Sequence, residues 1–201
     1  VIGLGLEPEP LAYRVRPQAD ECFDSWIERV ATAHEITRGA LLRHLGADAA
    51  LAAMDLAIGK RDLSEVWHGA FDRMVEQLAW GVQIEPARIA ETFLACDAGA
   101  LLPRRLRAFA CARCWYEAQR AGKPRIIKRE WILRACWRCR QHGLPLSDMG
   151  PMKVEGGIHR SLADLARAVL EAERLRWKTR ANPSTIRCNA TVLDYLTQAA
   201  A

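Results

Sequence analysis

Apolar residues recur at helical spacing through most of the first hundred positions. Cys22, Trp26, Ile27, Val30 and Ala31 share one face of a helix that Asp20 is placed to cap. Thr37 is placed to cap a short helix from Arg38 to Leu45 that carries Leu41, Leu42 and Leu45, and Gly46 stops it. A third helix is expected over Ala49 to Ile58. Ser64 opens a fourth, in which Val66, Trp67, Phe71, Met74, Val75 and Leu78 repeat at helical spacing. Pro86 fits the first turn of a fifth, reaching about Leu94. Residues 1–17, with Pro8, Pro10 and Pro17, read as an extended lead-in. Short helices joined by tight turns have helix-turn-helix-like character, although periodicity alone fits a plain helical bundle equally well.

The pattern changes at Pro103. Trp115 to Arg120 reads as a short helix that Gly122 and Pro124 stop. From Arg125 to Arg138 apolar residues (Ile126, Ile127, Trp131, Ile132, Leu133) mix with basic ones, and helix and strand both fit. Glycine and proline between Ser147 and Gly157 predict a loop. Ser161 with Asp164 forms a capping box. It opens a helix to about Trp177, whose apolar face holds Leu162, Leu165, Ala166, Val169, Leu170 and Ala172. Asn182-Pro183 breaks the chain, and a last helix is expected near Thr191 to Ala199. The expected fold is therefore mainly α. It has an N-terminal helical bundle (1–102), a small module (103–150) whose pairs Cys111/Cys114 and Cys139/His142 have the pattern of a zinc ribbon or zinc finger, and a C-terminal helical segment (151–201). There is no internal repeat and no low-complexity tract.

Charge sharpens this division. Residues 1–102 carry 9 Lys/Arg and 16 Asp/Glu, whereas residues 103–140 carry 12 Lys/Arg and only 2 Asp/Glu. The formal charge of +5 hides that contrast. The basic stretch attracts phosphate backbone, and the acidic half is better suited to protein partners. At 201 residues and 50% hydrophobic composition the chain makes one domain or two small ones with a real core. No apolar run approaches the ~20 residues of a membrane-spanning helix. The sequence opens on Val1, so further chain is expected upstream.

Seven cysteines are present, an odd number, and four fall in one window without a secretory signal before them. This predicts a reducing cytoplasm and a metal rather than a disulfide framework. Cys111-Ala112-Arg113-Cys114 and Cys139-Arg140-Gln141-His142 each have the i, i+3 spacing of a zinc knuckle, with 24 residues between them. Two knuckles supply Cys111, Cys114, Cys139 and His142, enough to close a tetrahedral Cys₃His site around one structural Zn²⁺ and leave no place for a catalytic water. Cys136 offers a rival Cys₄ set through the pair Cys136/Cys139. Cys139 and His142 are the preferred second pair, with Cys136 on a packed face beside Trp131. The plainer alternative is two buried thiol pairs and a surface histidine. His34, His44 and His68 lie at unrelated spacings and read as core or surface residues. Arg113, Lys128, Arg129, Arg138 and Arg140 are candidates to sit on nucleic-acid phosphate, and Trp115 or Trp137 to stack on a base or a guanidinium. Against these stand a solvated basic face and a tryptophan core. No H-E-x-x-H, P-loop or Ser-His-Asp spacing is present, and the basic stretch holds only Glu117 and Glu130 as carboxylates. An enzyme is not expected.

Two segments resemble one family. Asp20-Glu21-Cys22-Phe23-Asp24-Ser25-Trp26-Ile27-Glu28-Arg29-Val30, followed by Leu41-Leu42-Arg43-His44-Leu45-Gly46, resembles the D-E-S-x-x-S-W-L-x-R-L opening and Leu-Leu-x-x-Leu-Gly ending of TniQ proteins. Cys111/Cys114, Trp131 and Cys139-Arg140-Gln141-His142-Gly143-Leu144-Pro145-Leu146 are similar to that family's zinc ribbon. The resemblance covers about residues 13–148. Cys22 replaces a serine, Ala112 a frequent proline, and no further C-x-x-C follows His142, so a second metal site is not expected. The resemblance implies a non-catalytic adaptor of DNA transposition that marks a target and recruits an AAA+ ATPase regulator. Relatives of the TnsD type read DNA directly; others form homodimers and dock onto an RNA-guided targeting complex. The alternative is a zinc-containing protein-binding module or transcription regulator that has lost the transposition role.

Overall fold

The computed structural model describes residues 9–47, 56–57, 65–149 and 162–181. The chain forms two compact units, Val1–Ala98 and Gly99–Ala201. The described residues are mainly helical, and no helix among them is long and apolar enough to cross a membrane.

In the first unit, α1 (Phe23–Ala33) and α2 (Arg38–His44) are joined by residues 34–37. Further on come α3 (Glu65–Val82) and α4 (Pro86–Ala90). The expected α1 face is buried: Cys22, Trp26, Ile27, Val30 and Ala31 belong to the core of this unit, as do Leu41, Leu45, Met74, Leu78 and Ile89. Asp20 does not cap α1. It occupies a left-handed turn at φ 61°, and Cys22 takes the cap position without a side-chain bond. The next residue carries the local chemistry instead. Buried Glu21 accepts from the Gln18 backbone N–H, Ser25 Oγ and both Nε and Nη2 of Arg29, at 2.6 to 2.9 Å. Trp26 Nε1 donates to the Val15 carbonyl at 2.7 Å and pins the lead-in. Thr37 caps α2 as expected, accepting from the Ala40 N–H at 3.2 Å. Pro86 opens α4 as expected, but α4 ends at Ala90 rather than near Leu94. Beyond it Phe93 turns into the core against Phe23 and Phe71, and the Leu94 N–H is taken by the Leu56 carbonyl. Of the helix expected over 49–58 only residues 56–57 are described, and they form a turn and a bridge to Leu94 rather than helix; Ser64 and the contacts of Val66, Trp67 and His68 lie outside the described residues and side chains.

The second unit contains α5 (Ala112–Arg120), α6 (Leu162–Ala181) and a two-stranded antiparallel sheet, β1 (Phe109–Ala110) with β2 (Ser147–Asp148). The expected loop after Ser147 thus begins as a strand, because Phe109 and Ala110 offer it partners. The ambiguous stretch 125–138 is neither long helix nor strand: a short 3₁₀ turn spans Arg129–Ile132 and buries Trp131 and Ile132. Its flank is tied to the 100–102 segment by Leu102 N–H to Ile132 O and Arg134 N–H to Ala100 O, at 2.8 and 2.9 Å. α6 packs along α5 through Leu165, Ala168 and Ala172, while Leu170, placed on the apolar face by periodicity, is 66% exposed. Ser161, Asn182-Pro183 and the last expected helix lie outside the described residues.

Candidate metal centre

The first cysteine pair does not sit in a free turn. Cys111 is the N-cap residue of α5 and Cys114 lies in its first turn, so the expected helix starts three residues early and takes the knuckle into itself. The free N–H groups and positive end of a helix favour a thiolate at this position. The second pair sits on a tight hairpin. The Cys139 N–H bonds the Leu144 carbonyl and the Gly143 N–H bonds the Cys139 carbonyl, both at 2.8 Å. Gly143 adopts φ 63°, a left-handed conformation that glycine takes without steric cost.

These two elements bring Cys111, Cys114, Cys139 and His142 together, with one donor atom from each lying within 4.8 Å of all the others. Cys114 Sγ and Cys139 Sγ are 3.7 Å apart. His142 Nδ1 lies 3.3, 3.5 and 3.9 Å from the sulfurs of Cys114, Cys111 and Cys139. A tetrahedron with zinc's usual bond lengths has S–S edges of about 3.8 Å and S–N edges of about 3.6 Å. These four separations lie close to those edges, and three soft donors with one imidazole suit zinc. The group can therefore hold a metal ion. Its electrostatics without one agree. Hydrogen bonding from the Cys114 thiol, more than any other contact, lowers the Cys111 pKa to about 5, while hydrogen bonding to Cys111 and burial push Cys114 up. Burial also raises Cys139. Ionising one thiol of the group makes it harder to ionise its neighbours, a cost that a dication offsets.

Cys136 stays outside the group. Half-buried, it lies with Leu102, Phe109, Leu133, Trp137 and Leu146 around a small cavity, its Sγ 3.5 Å from the Arg138 carbonyl. Trp115 is buried and donates Nε1–H to the Ile126 carbonyl at 2.7 Å, so it belongs to the core. Trp137 is 38% exposed, and the Arg138 guanidinium lies 5.2 Å from its ring centre. Lys128 lies 5.7 Å from the Trp131 ring centre. Arg129 belongs to the 3₁₀ turn. Arg140, largely exposed, reaches Glu130 at 3.2 Å. Arg113 reaches Glu117 at 3.1 Å and Glu173 at 3.7 Å. Not every cation in the basic stretch faces outward, since buried Arg107 donates to the Leu102 carbonyl at 2.8 Å.

Sequence reading missed Glu117 as a neighbour of the centre. Its Oε2 lies 3.2 Å from His142 Nε2. The available signal was that Glu117 is one of only two carboxylates among twelve cations, one helical turn after Arg113.

Among curated proteins no relative matches the chain. The TniQ family model matches residues 12–146, a span that takes in the Glu21 clamp, both cysteine pairs and most of the chain, and by that match the chain belongs to the TniQ family.

Proposed function

We propose that this chain is a non-catalytic targeting adaptor of DNA transposition that contacts target DNA or a targeting complex and recruits an AAA+ regulator. The TniQ match over residues 12–146 carries the reading, since proteins of this family act in transposition targeting. The Cys/His group supports it. With zinc bound, Cys111, Cys114, Cys139 and His142 fill all four positions, and such a site folds a module rather than activating water. This is the zinc-ribbon part of the reading. Lys128, Arg129, Arg138 and Arg140 lie on the segment between and around the two knuckles, where they position phosphate without reading bases. Arg113 belongs to the same set, its guanidinium shared with Glu117 and Glu173. Trp137, exposed beside Arg138, adds a flat surface for stacking. The four-residue connection between α1 and α2 supports the helix-turn-helix-like character. Yet Arg38 at the start of α2 is engaged by Asp24, so the basic second unit is the better DNA-contacting surface.

The test is binding to duplex DNA across a salt titration, together with co-purification with an AAA+ transposition regulator. Affinity should fall steeply with salt, and replacing Lys128, Arg129, Arg138 or Arg140 should each lower the slope by about one. Regulator binding without DNA affinity would favour the protein-binding alternative. Absence of both would overturn the adaptor reading.

A further inference from the structure

We propose that Glu117 is the positioning residue of the metal centre: it fixes the His142 ring so that Nδ1 faces the three sulfurs, and α6 braces it. The proposal rests on the metal reading above. A neutral imidazole carries one proton. With Nδ1 directed at the thiols and free to bind a metal, that proton must sit on Nε2. Nε2 is 3.2 Å from Glu117 Oε2, in a ring only 10% exposed. Water has little access to that N–H, and the carboxylate is within reach to take it up once the metal sets the ring. Such an outer carboxylate fixes the tautomer and the orientation of the ring.

Glu117 is itself held. Its Oε1 accepts from Arg113 Nε at 3.1 Å, and Arg113 Nη1 lies 3.7 Å from Glu173 on α6. From the same helix, Arg176 Nη1 donates to the His142 carbonyl at 3.4 Å. His142 is thus gripped at its ring from α5 and at its backbone from α6. The charges require this. Three thiolates around a dication leave one net negative charge, and a bare carboxylate beside them would be repelled. Arg113 and Arg176 offset that repulsion. α6 lies beyond the family match, which ends at residue 146, so the brace is a feature of this chain outside the matched region.

The test is zinc transfer from the full chain to a chromogenic chelator, for wild type, Glu117→Ala, Glu117→Gln and Arg176→Ala. Losing an outer-shell partner weakens metal affinity by about 10- to 100-fold, and a half-exposed carboxylate belongs near the lower end of that range. Glu117→Ala should therefore raise the zinc dissociation constant about tenfold. Glu117→Gln, whose amide oxygen still accepts, should stay close to wild type, and Arg176→Ala should fall between. Nitrogen NMR of the wild-type imidazole should place the proton on Nε2 in slow exchange with water, and exchange should quicken in Glu117→Ala. Wild-type zinc affinity in Glu117→Ala would overturn the proposal and leave the metal reading standing. Wild type that binds no zinc would overturn both. If Glu117→Ala does not fold, the wild-type spectrum decides: a proton on Nδ1, or metal on Nε2, overturns the assignment.

Discussion

Glu21 explains why the opening motif has the residues it has. The carboxylate is buried, and Ser25, Arg29 and the Gln18 N–H all donate to it. Ser25 and Arg29, one helical turn apart, share a face of α1, Glu21 sits just ahead of the helix and accepts from both, and Trp26 beside them reaches back to Val15. The motif is a structural clamp that anchors α1 to the lead-in. Removing one partner of a buried, hydrogen-bonded charge pair costs about 3–5 kcal/mol, because the other is left unpaired. Glu21→Ala should lower the unfolding free energy of the first unit, read from a denaturant titration, by an amount in that range; an unchanged value would contradict the clamp. Glu28 has the opposite sign. Burial, more than any other influence, raises its pKa, against the pull of Arg38. A raised carboxyl favours the protonated fold, so its contribution is present below the ordinary glutamate value and is lost as pH climbs through the raised one. Glu28→Gln should therefore stabilise slightly at pH 7, by no more than about 0.5 kcal/mol for so accessible a site, and the gain should vanish on acidification. A pH-independent gain would point to packing instead.

Helix ends show a second regularity. α1, α2, α3 and α5 each close with a left-handed residue within two positions of the helix end: Glu35, Gly46, Gln83 and Gly122. In each the following N–H reaches back five residues, as in Ile36 to Ala31 and Lys123 to Ala118. Glycine made two of these stops visible in the sequence. Glu35 and Gln83 hide the other two, because only the tertiary course of the chain demands their φ. Glu35→Gly removes the strain of a side chain at φ 54° and should stabilise by about 0.5–1 kcal/mol, read as a rise in Tm. A fall would mean that the Glu35 side chain contributes more than its backbone costs. The same logic explains the other misreadings. Periodicity located α1, α2, α3 and α6 because each has a buried face. It missed the short β1–β2 pair and the early start of α5, where two-residue strands and a cysteine at a helix cap leave no periodic trace. It placed Leu170 inward because a pattern cannot show how wide a face the neighbouring helix covers.

Across the whole chain, the two units are stabilised by different means. The first rests on large apolar side chains such as Phe23, Trp26, Ile27, Leu41, Leu45, Met74, Leu78 and Ile89, all essentially inaccessible to solvent. Among the described residues, the second has fewer large buried side chains and the one Cys/His group. The four members of that group were legible because their spacing is local chemistry. The choice of His142 over Cys136 needed the fold, since only the hairpin around Gly143 decides which donor turns inward. Structural zinc supplies on the order of 10 kcal/mol, comparable to the whole stability of a small domain. Chelation, or Cys114→Ser, should therefore expose amides over residues 109–149 and 162–181 to hydrogen exchange while α1 and α3 stay protected. Cys136→Ser should keep the metal and the protection. Simultaneous loss in both units would show one cooperative core in place of two. Loss of zinc from Cys136→Ser would transfer the fourth ligand to that thiol, against the separations that converge on His142 Nδ1.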